Sequence, residues 1–299
     1  MEVQKIGTRG LLFSFPNFKV FPQVEVTIQI YVINEEKHLF ICDTGLGVEQ
    51  MSMLKQYLKN NNLDSKPKII FNSHFHWDHI AGNGVFKSAQ IISHILCRKK
   101  LIESMVEITE EDREFLKGAS IKYPSIVFQQ KLRFHEEDVE FFYSPGHSED
   151  HATCYYHKDK VLFIGDNLLY PIPLITWYRI DDYLETLKNY INIDAETIIL
   201  GHDLILNDLT FIEETINYIR KFQSFSIDTT NFTPSHAAWY RGSLIYIAMD
   251  LKENGKEKEA QRYFRKVKEV IKQPETKPLD EKELKQIEEL IKKELGNEY

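Results

Sequence analysis

The sequence predicts a layered α/β or α+β domain followed by a wholly helical extension. Two observations carry this: strand-like runs interleave with helical stretches as far as Phe225, and only helical periodicity follows a polar break at Ser226 to Ser235. A third is composition: 299 residues, 42% hydrophobic and 27% charged, are enough to bury a full core. The boundary is expected near residue 230, giving a catalytic unit over 1–230 and an extension over 231–299.

The elements follow in order. Val24 to Ile33 alternates and is rich in β-branched residues, and His38 to Cys42 is a short apolar run ending at Asp43-Thr44-Gly45, so both read as strands. Met51 to Asn60 reads as a helix, Ile69 to Asn72 and Gln90 to Ser93 as strands, and Cys97 to Tyr123 as helix and loop. Strand signals return at Lys131 to Phe134, Val139 to Tyr143, Ala152 to His157, Val161 to Ile164 and Thr197 to Leu200. Asp181 to Ile191 and Asp208 to Phe222 have helical spacing, as do Ala237 to Asn254, Lys256 to Lys272 and Leu279 to Leu295.

The formal charge of -8, with lysines and arginines scattered, argues against nucleic acid or an anionic membrane as partner. No run approaches the roughly 18–20 apolar residues of a membrane span, and Leu11 to Phe15 is too short for a secretory signal, so a cytoplasmic location is expected. Cys42, Cys97 and Cys154 lack C-x-x-C spacing and read as buried reduced thiols.

The chemistry concentrates in Ser73-His74-Phe75-His76-Trp77-Asp78-His79, which follows the apolar Ile69-Ile70-Phe71. In an extended loop alternate residues point the same way, so His74 and His76 can share one ion while Asp78 and His79 turn to a second. Imidazole with carboxylate suits zinc, iron or manganese. Three further junctions set a small residue and a possible ligand after a strand: Ser144-Pro145-Gly146-His147, Ile164-Gly165-Asp166 and Leu200-Gly201-His202. His94, His135, His151, His157 and His236 lack such support and are read as non-ligands.

With these motifs in this order, residues 20 to 205 resemble the metallo-β-lactamase superfamily, and its glyoxalase II and lactonase-like branches more than the true β-lactamases. The resemblance implies an α+β fold, the four-layer αββα sandwich, with the site at one sheet edge and the C-terminal helices added. It implies that His74, His76 and His147 hold a first metal, that Asp78, His79 and His202 hold a second, that Asp166 bridges them, and that Asp43 orients ligands from behind.

Two cations a few Å apart acidify a shared water until hydroxide forms near neutral pH, so no side-chain nucleophile is needed. The expected function is therefore a dinuclear hydrolase, with two zinc ions (iron or manganese as alternatives), acting on a small ester, thioester or lactone. Asp78 is expected to orient the hydroxide, Tyr170 to donate a proton or hydrogen bond to the substrate, and Trp77, Trp177 and Tyr178 to wall the pocket. A mononuclear iron dioxygenase and a phosphodiesterase are the alternative enzymes. A metal-stabilised protein that binds a partner through its helices is the non-enzymatic one. Residues 241 to 274 weakly resemble one tetratricopeptide unit, and a lone unit must pack its faces on the sandwich, a second subunit or another protein.

Overall fold

A computed structural model of the chain describes residues 1–21, 24–106, 118–278 and 280–296. Seven strands lie in chain order across the first sheet: β1 (Glu2–Ile6), β2 (Gly10–Phe21), β3 (Val24–Asn34), β4 (Leu39–Cys42), β5 (Lys68–Asn72), β6 (Gln90–His94) and β7 (Ile126–Phe128). The first four pair antiparallel, and β4 to β7 run parallel. The second sheet has β8 (Lys131–Phe134), β9 (Val139–Tyr143), β10 (Ala152–Tyr156), β11 (Val161–Phe163), β12 (Thr197–Ile199) and β13 (Ile205–Leu206), also in sequence order. Its single parallel pair is β11 with β12.

Side-chain alternation explains the layers. On β4, Phe40 and Cys42 enter the core between the sheets, whereas Leu39 and Ile41 pack outward against Met51, Leu54 and Leu58 of α1 (Val48–Asn60). Between the sheets Phe71 of β5 stacks on Phe141 of β9 at 4.4 Å between ring centres. Each such side chain, fully buried, contributes about 1.5–3 kcal/mol. Beyond α1 on the first-sheet half come the single turn α2 (Trp77–Ile80) and α3 (Ile95–Val106). The outer face of the second sheet, Leu162 and Ile198, is covered by Tyr183, Leu184 and Leu187 of α4 (Ile180–Ile191) and by Ile212, Ile216 and Ile219 of α5 (Thr210–Gln223). This is the expected αββα sandwich.

Three more helices extend that outer layer: α6 (Pro234–Glu253), α7 (Glu257–Val270) and α8 (Glu281–Leu295). Thr233 caps α6 by accepting the His236 N–H, with Pro234 in the first turn, where its missing N–H costs nothing. Gly255, at φ 73°, makes the tight turn to α7, and Asp280 caps α8. Leu244 and Ile247 of α6, Phe264 of α7 and Ile291 of α8 belong to one apolar cluster with Leu162 and Ile198, so these helices pack on the sandwich.

Several details differ from the sequence reading. β1, β2, β7 and β13 were not foreseen, and part of the helix and loop expected between Cys97 and Tyr123 lies outside the described residues, as does Leu279. α8 begins after its Asp280 cap. The His74–His79 run is not one extended loop: it turns helical at Trp77, and this turn is what brings the adjacent Asp78 and His79 to one centre. No described helix is long and apolar enough to cross a membrane, and all three cysteines are buried free thiols.

Candidate metal centre

Five strand ends converge at one edge of the sandwich. β4 delivers Asp43, β5 the His74–His79 run, β9 His147, β11 Asp166 and β12 His202. The two sheets are tied here by the Gln29 N–H donating to the Gly201 carbonyl at 2.9 Å. Small residues precede two ligand positions for steric reasons. A Cβ on Gly165, itself at φ 50°, would lie 2.7 Å from His151 Nε2, and one on Gly201 would lie 2.3 Å from Asp166 Oδ1.

The ring nitrogens form two groups. His76 Nδ1 stands 3.0 Å from His74 Nε2 and 3.1 Å from His147 Nε2. Three ring nitrogens so close suit a shared cation: two ligands ~2.0–2.1 Å from a tetrahedral ion lie about 3.3 Å apart. In the second group His202 Nε2 is 3.2 Å from Asp78 Oδ2, and His79 Nε2 is 3.6 Å from the same oxygen. Asp166 lies between the groups: Oδ1 is 3.3 Å from His79 Nε2, and Oδ2 is 3.5 Å from His202 Nε2, 3.9 Å from His74 Nε2 and 4.0 Å from His147 Nε2. The triads His74–His76–His147, His74–His79–Asp166 and Asp78–His79–His202 each bring one ligand atom per residue within 4.8 Å of the others.

Partners behind the rings set their tautomers. Asp43, buried and at φ 64°, accepts the Ser73 N–H at 2.8 Å on Oδ1, and the Ser73 hydroxyl and His79 Nδ1–H, both at 2.7 Å, on Oδ2. With its own proton committed to Asp43, Ser73 Oγ can only accept from His74 Nδ1–H, 3.0 Å away. His147 Nδ1–H donates to the Leu174 carbonyl at 2.7 Å. With Nδ1 engaged in all three rings, Nε2 is the nitrogen each presents to the centre. His79 Nε2 and Asp166 Oδ1 are buried and find no hydrogen-bond partner among the described residues, which is the condition of atoms that await a cation.

Electrostatics separate the two groups. Burial holds His74 well below the usual imidazole range and His147 below it, and burial with His147 alongside brings His76 to about 3. These rings are neutral and ready to ligate. Burial opposes charge on His202 and His79 as well, but the Asp166 and Asp78 carboxylates outweigh it, carrying His202 to about 10 and His79 well above 6.5. Against its own burial Asp78 is pulled to about 2 by His79 and His202, and Asp166 is pulled well below the carboxylate range by the same pair.

On its open side the centre borders a cavity of about 430 Å³. His76, Asp78, His147, Asp166 and His202 reach it, and Trp77 and Trp177 stand in its wall. Two expected pocket residues are elsewhere. Tyr170 is 54% exposed and faces Phe211 at 6.5 Å, because Leu168 and Leu169 turn inward and leave the next side chain to solvent. Tyr178 packs on the outer helical layer under Lys256. Conversely, the sequence reading assigned no part to His151. It is buried, stacks on His74 at 5.2 Å and accepts the Asp166 backbone N–H at 3.2 Å, so it fixes the chain at the shared carboxylate. Its position four residues after His147 was the available signal.

Helix α6 braces the centre from outside. Ser243 Oγ accepts the Ile175 N–H at 3.0 Å, and Asp250 accepts the Tyr178 N–H at 2.7 Å, which anchors the loop whose Leu174 carbonyl orients His147.

Residues 25–202 match the family profile described as the metallo-beta-lactamase superfamily. The chain is 24% identical over 225 residues to a beta-lactamase-like protein 2 homolog of Caenorhabditis elegans, covering 70% of this chain and 71% of that one. It is 26% identical over 140 residues to an atrochrysone carboxyl ACP thioesterase of Claviceps purpurea, and 25% identical over 118 residues to a hydroxyacylglutathione hydrolase of Pelagibacter ubique. Those matches cover 46% and 38% of this chain and span only 39% and 40% of the two relatives. Among solved structures, a metallo-beta-lactamase family protein from Thermus thermophilus superposes with a TM-score of 0.60 at 18% identity, over 82% of this chain and 94% of that one. A metallo-beta-lactamase from Pontibacter korlensis gives 0.60 at 15% identity, over 73% and 98%. The fold, the ligand-bearing strand ends and the profile match together make this chain a member of the metallo-beta-lactamase superfamily.

Proposed function

We propose that the protein is a dinuclear zinc hydrolase of a small ester, thioester or lactone. The observation that carries the reading is the pair of ligand groups sharing Asp166, with unpartnered donor atoms facing inward and a cavity on the open side. His74, His76 and His147 would hold one ion, Asp78, His79 and His202 the other, with Asp166 common to both. Imidazole and carboxylate without thiolate suit zinc, and accept iron or manganese as well. Bound there, two such ions supply a water acidic enough to attack at neutral pH and a Lewis acid for the carbonyl oxygen.

The remaining work falls to side chains of the chain itself. Asp78, 18% exposed and lining the cavity, is the carboxylate suited to hold an attacking water by a hydrogen bond. Asp43, Ser73 and the Leu174 carbonyl keep three imidazoles in the ligating tautomer, so none must reorganise during turnover. Trp77 and Trp177 exclude solvent from one side of the cavity. The hydrolase-named relatives support cleavage of an acyl bond. Buried free thiols suit a reducing cytoplasm, and the small cavity suits a small-molecule substrate.

The test is metal quantification followed by turnover of matched esters, thioesters, lactones, phosphodiesters and β-lactams. Two zinc ions per chain with acyl hydrolysis, both lost in His76→Ala, is the expected result. One iron per chain with oxygen consumption, or turnover by a metal-free variant, would overturn the reading.

A further inference from the structure

The cavity has a second wall that the metal chemistry leaves unexplained. Helix α6 contributes Trp239, Tyr246, Met249, Asp250 and Glu253 to it, at spacings of seven, three, one and three residues that keep them on one side of the helix. Its other side is spent in the core through Leu244, Ile247, Ala248 and Leu251. Tyr246 and Met249 each stay 42% exposed, although both are large and apolar. Scattered exposed apolar groups are ordinary, but these two border a concavity that already holds Trp77 and Trp177 and ends at the ligand cluster. Among the described residues the rim is charged differently: Glu149, Asp250 and Glu253 against Lys100, whose ammonium lies 3.4 Å from Glu149.

We propose that Tyr246 and Met249, backed by the buried Trp239, form the specificity surface for the non-reacting part of the substrate, and that they take an apolar chain or ring whose far end is neutral or cationic. This rests on the hydrolase reading for the reaction, but not for the binding. The flat ring of Tyr246 offers apolar area at low entropy cost, and Met249 adapts to chains of different shape. An anionic thiol carrier would meet three carboxylates at the rim, where like charges disfavour binding.

Straight-chain hydroxamic acids test this without turnover, because the head group anchors on the metal-loaded full chain and only the tail varies. Affinities are read by tryptophan fluorescence for two-carbon and eight-carbon tails, and for eight-carbon tails ending in trimethylammonium or carboxylate. The eight-carbon compound is expected to bind at least about 50-fold more tightly than the two-carbon one, a modest part of the about four-fold per methylene that complete burial gives. The double variant Tyr246→Ala/Met249→Ala should reduce that ratio to about five-fold or less, the loss of about two methylenes' worth of burial. Its affinity for the two-carbon compound should be unchanged. Glu253→Lys, at the exposed rim, should reverse the preference for the cationic over the anionic tail. Three results overturn the proposal: no dependence on tail length in the wild type, a double variant that keeps the ratio, or a wild type that prefers the anionic tail. A double variant that keeps the ratio while weakening both tail lengths alike would mean that α6 only braces the centre. If no ester, thioester or lactone is hydrolysed while the tail dependence holds, the hydrolase reading falls and the specificity surface stands.

Discussion

Asp43→Asn is a change of one atom with a calculable consequence at both metal groups. Asp43 Oδ1 accepts the Ser73 N–H at 2.8 Å, and Oδ2 accepts the Ser73 hydroxyl and His79 Nδ1–H at 2.7 Å. In the asparagine the oxygen must stay on the Ser73 N–H, because the opposite flip sets two donors face to face in a buried site. The new NH₂ then donates towards His79 Nδ1 and Ser73 Oγ. His79 must carry its proton on Nε2, facing the centre. Ser73, now an acceptor from residue 43, turns its own proton to His74 Nδ1, and His74 inverts as well. One ligand of each group is lost to the wrong tautomer. Losing such an orienting partner costs about 10–100-fold in metal affinity, or about 1.4–2.8 kcal/mol per site. Competition against a chromogenic chelator measures this for zinc, with circular dichroism confirming the fold. Both sites should weaken in Asp43→Asn, whereas Ser73→Ala, which removes only the relay to His74, should weaken one. Wild-type affinity at both sites in Asp43→Asn, or equal damage to both in Ser73→Ala, would refute the tautomer argument.

Other consequences are as direct. Asp166 and Asp78 raise His79 and His202 in the metal-free protein, whereas burial lowers His74, His76 and His147, so filling the second group should release more protons than filling the first; calorimetry in buffers of different ionisation enthalpy counts them. Because the folded state raises these two histidines, their contribution to metal-free stability is complete below the unfolded value near 6.5 and is lost as pH rises towards the His202 value of about 10. The melting temperature of the metal-free protein should therefore fall across that interval. Ser243→Ala leaves the Ile175 N–H without its acceptor and should cost about 1–3 kcal/mol of stability, and it should weaken the metal group that contains His147 more than the other in the same chelator competition. Tyr170→Phe should leave kcat and KM unchanged on any substrate, since that ring faces Phe211 rather than the cavity.

What the sequence disclosed followed from local regularity. Runs such as Thr197-Ile198-Ile199-Leu200 are apolar and lead into glycine, so the strand and the ligand after it were both visible, and three such ends together with the His74–His79 run located the centre. β2 escaped notice because Leu11-Leu12-Phe13-Ser14-Phe15 does not alternate cleanly and the strand breaks register between Phe15 and Phe18, with Asn17 at φ 69°. Tyr170 was placed by its distance along the chain from Asp166, a measure that ignores which way each side chain turns. His151 and the α6 wall were hidden for the opposite reason. Their roles depend on contacts between segments far apart in sequence, such as Ser243 with Ile175, and no local pattern records those.

The central claim is that two ions share Asp166. Native mass spectrometry of the zinc-loaded protein and of Asp166→Ala tests it most directly. Two ions per chain in the wild type, no more than one in the variant, and acyl hydrolysis only in the former are predicted. A single ion in both, with turnover undiminished in the variant, would contradict it.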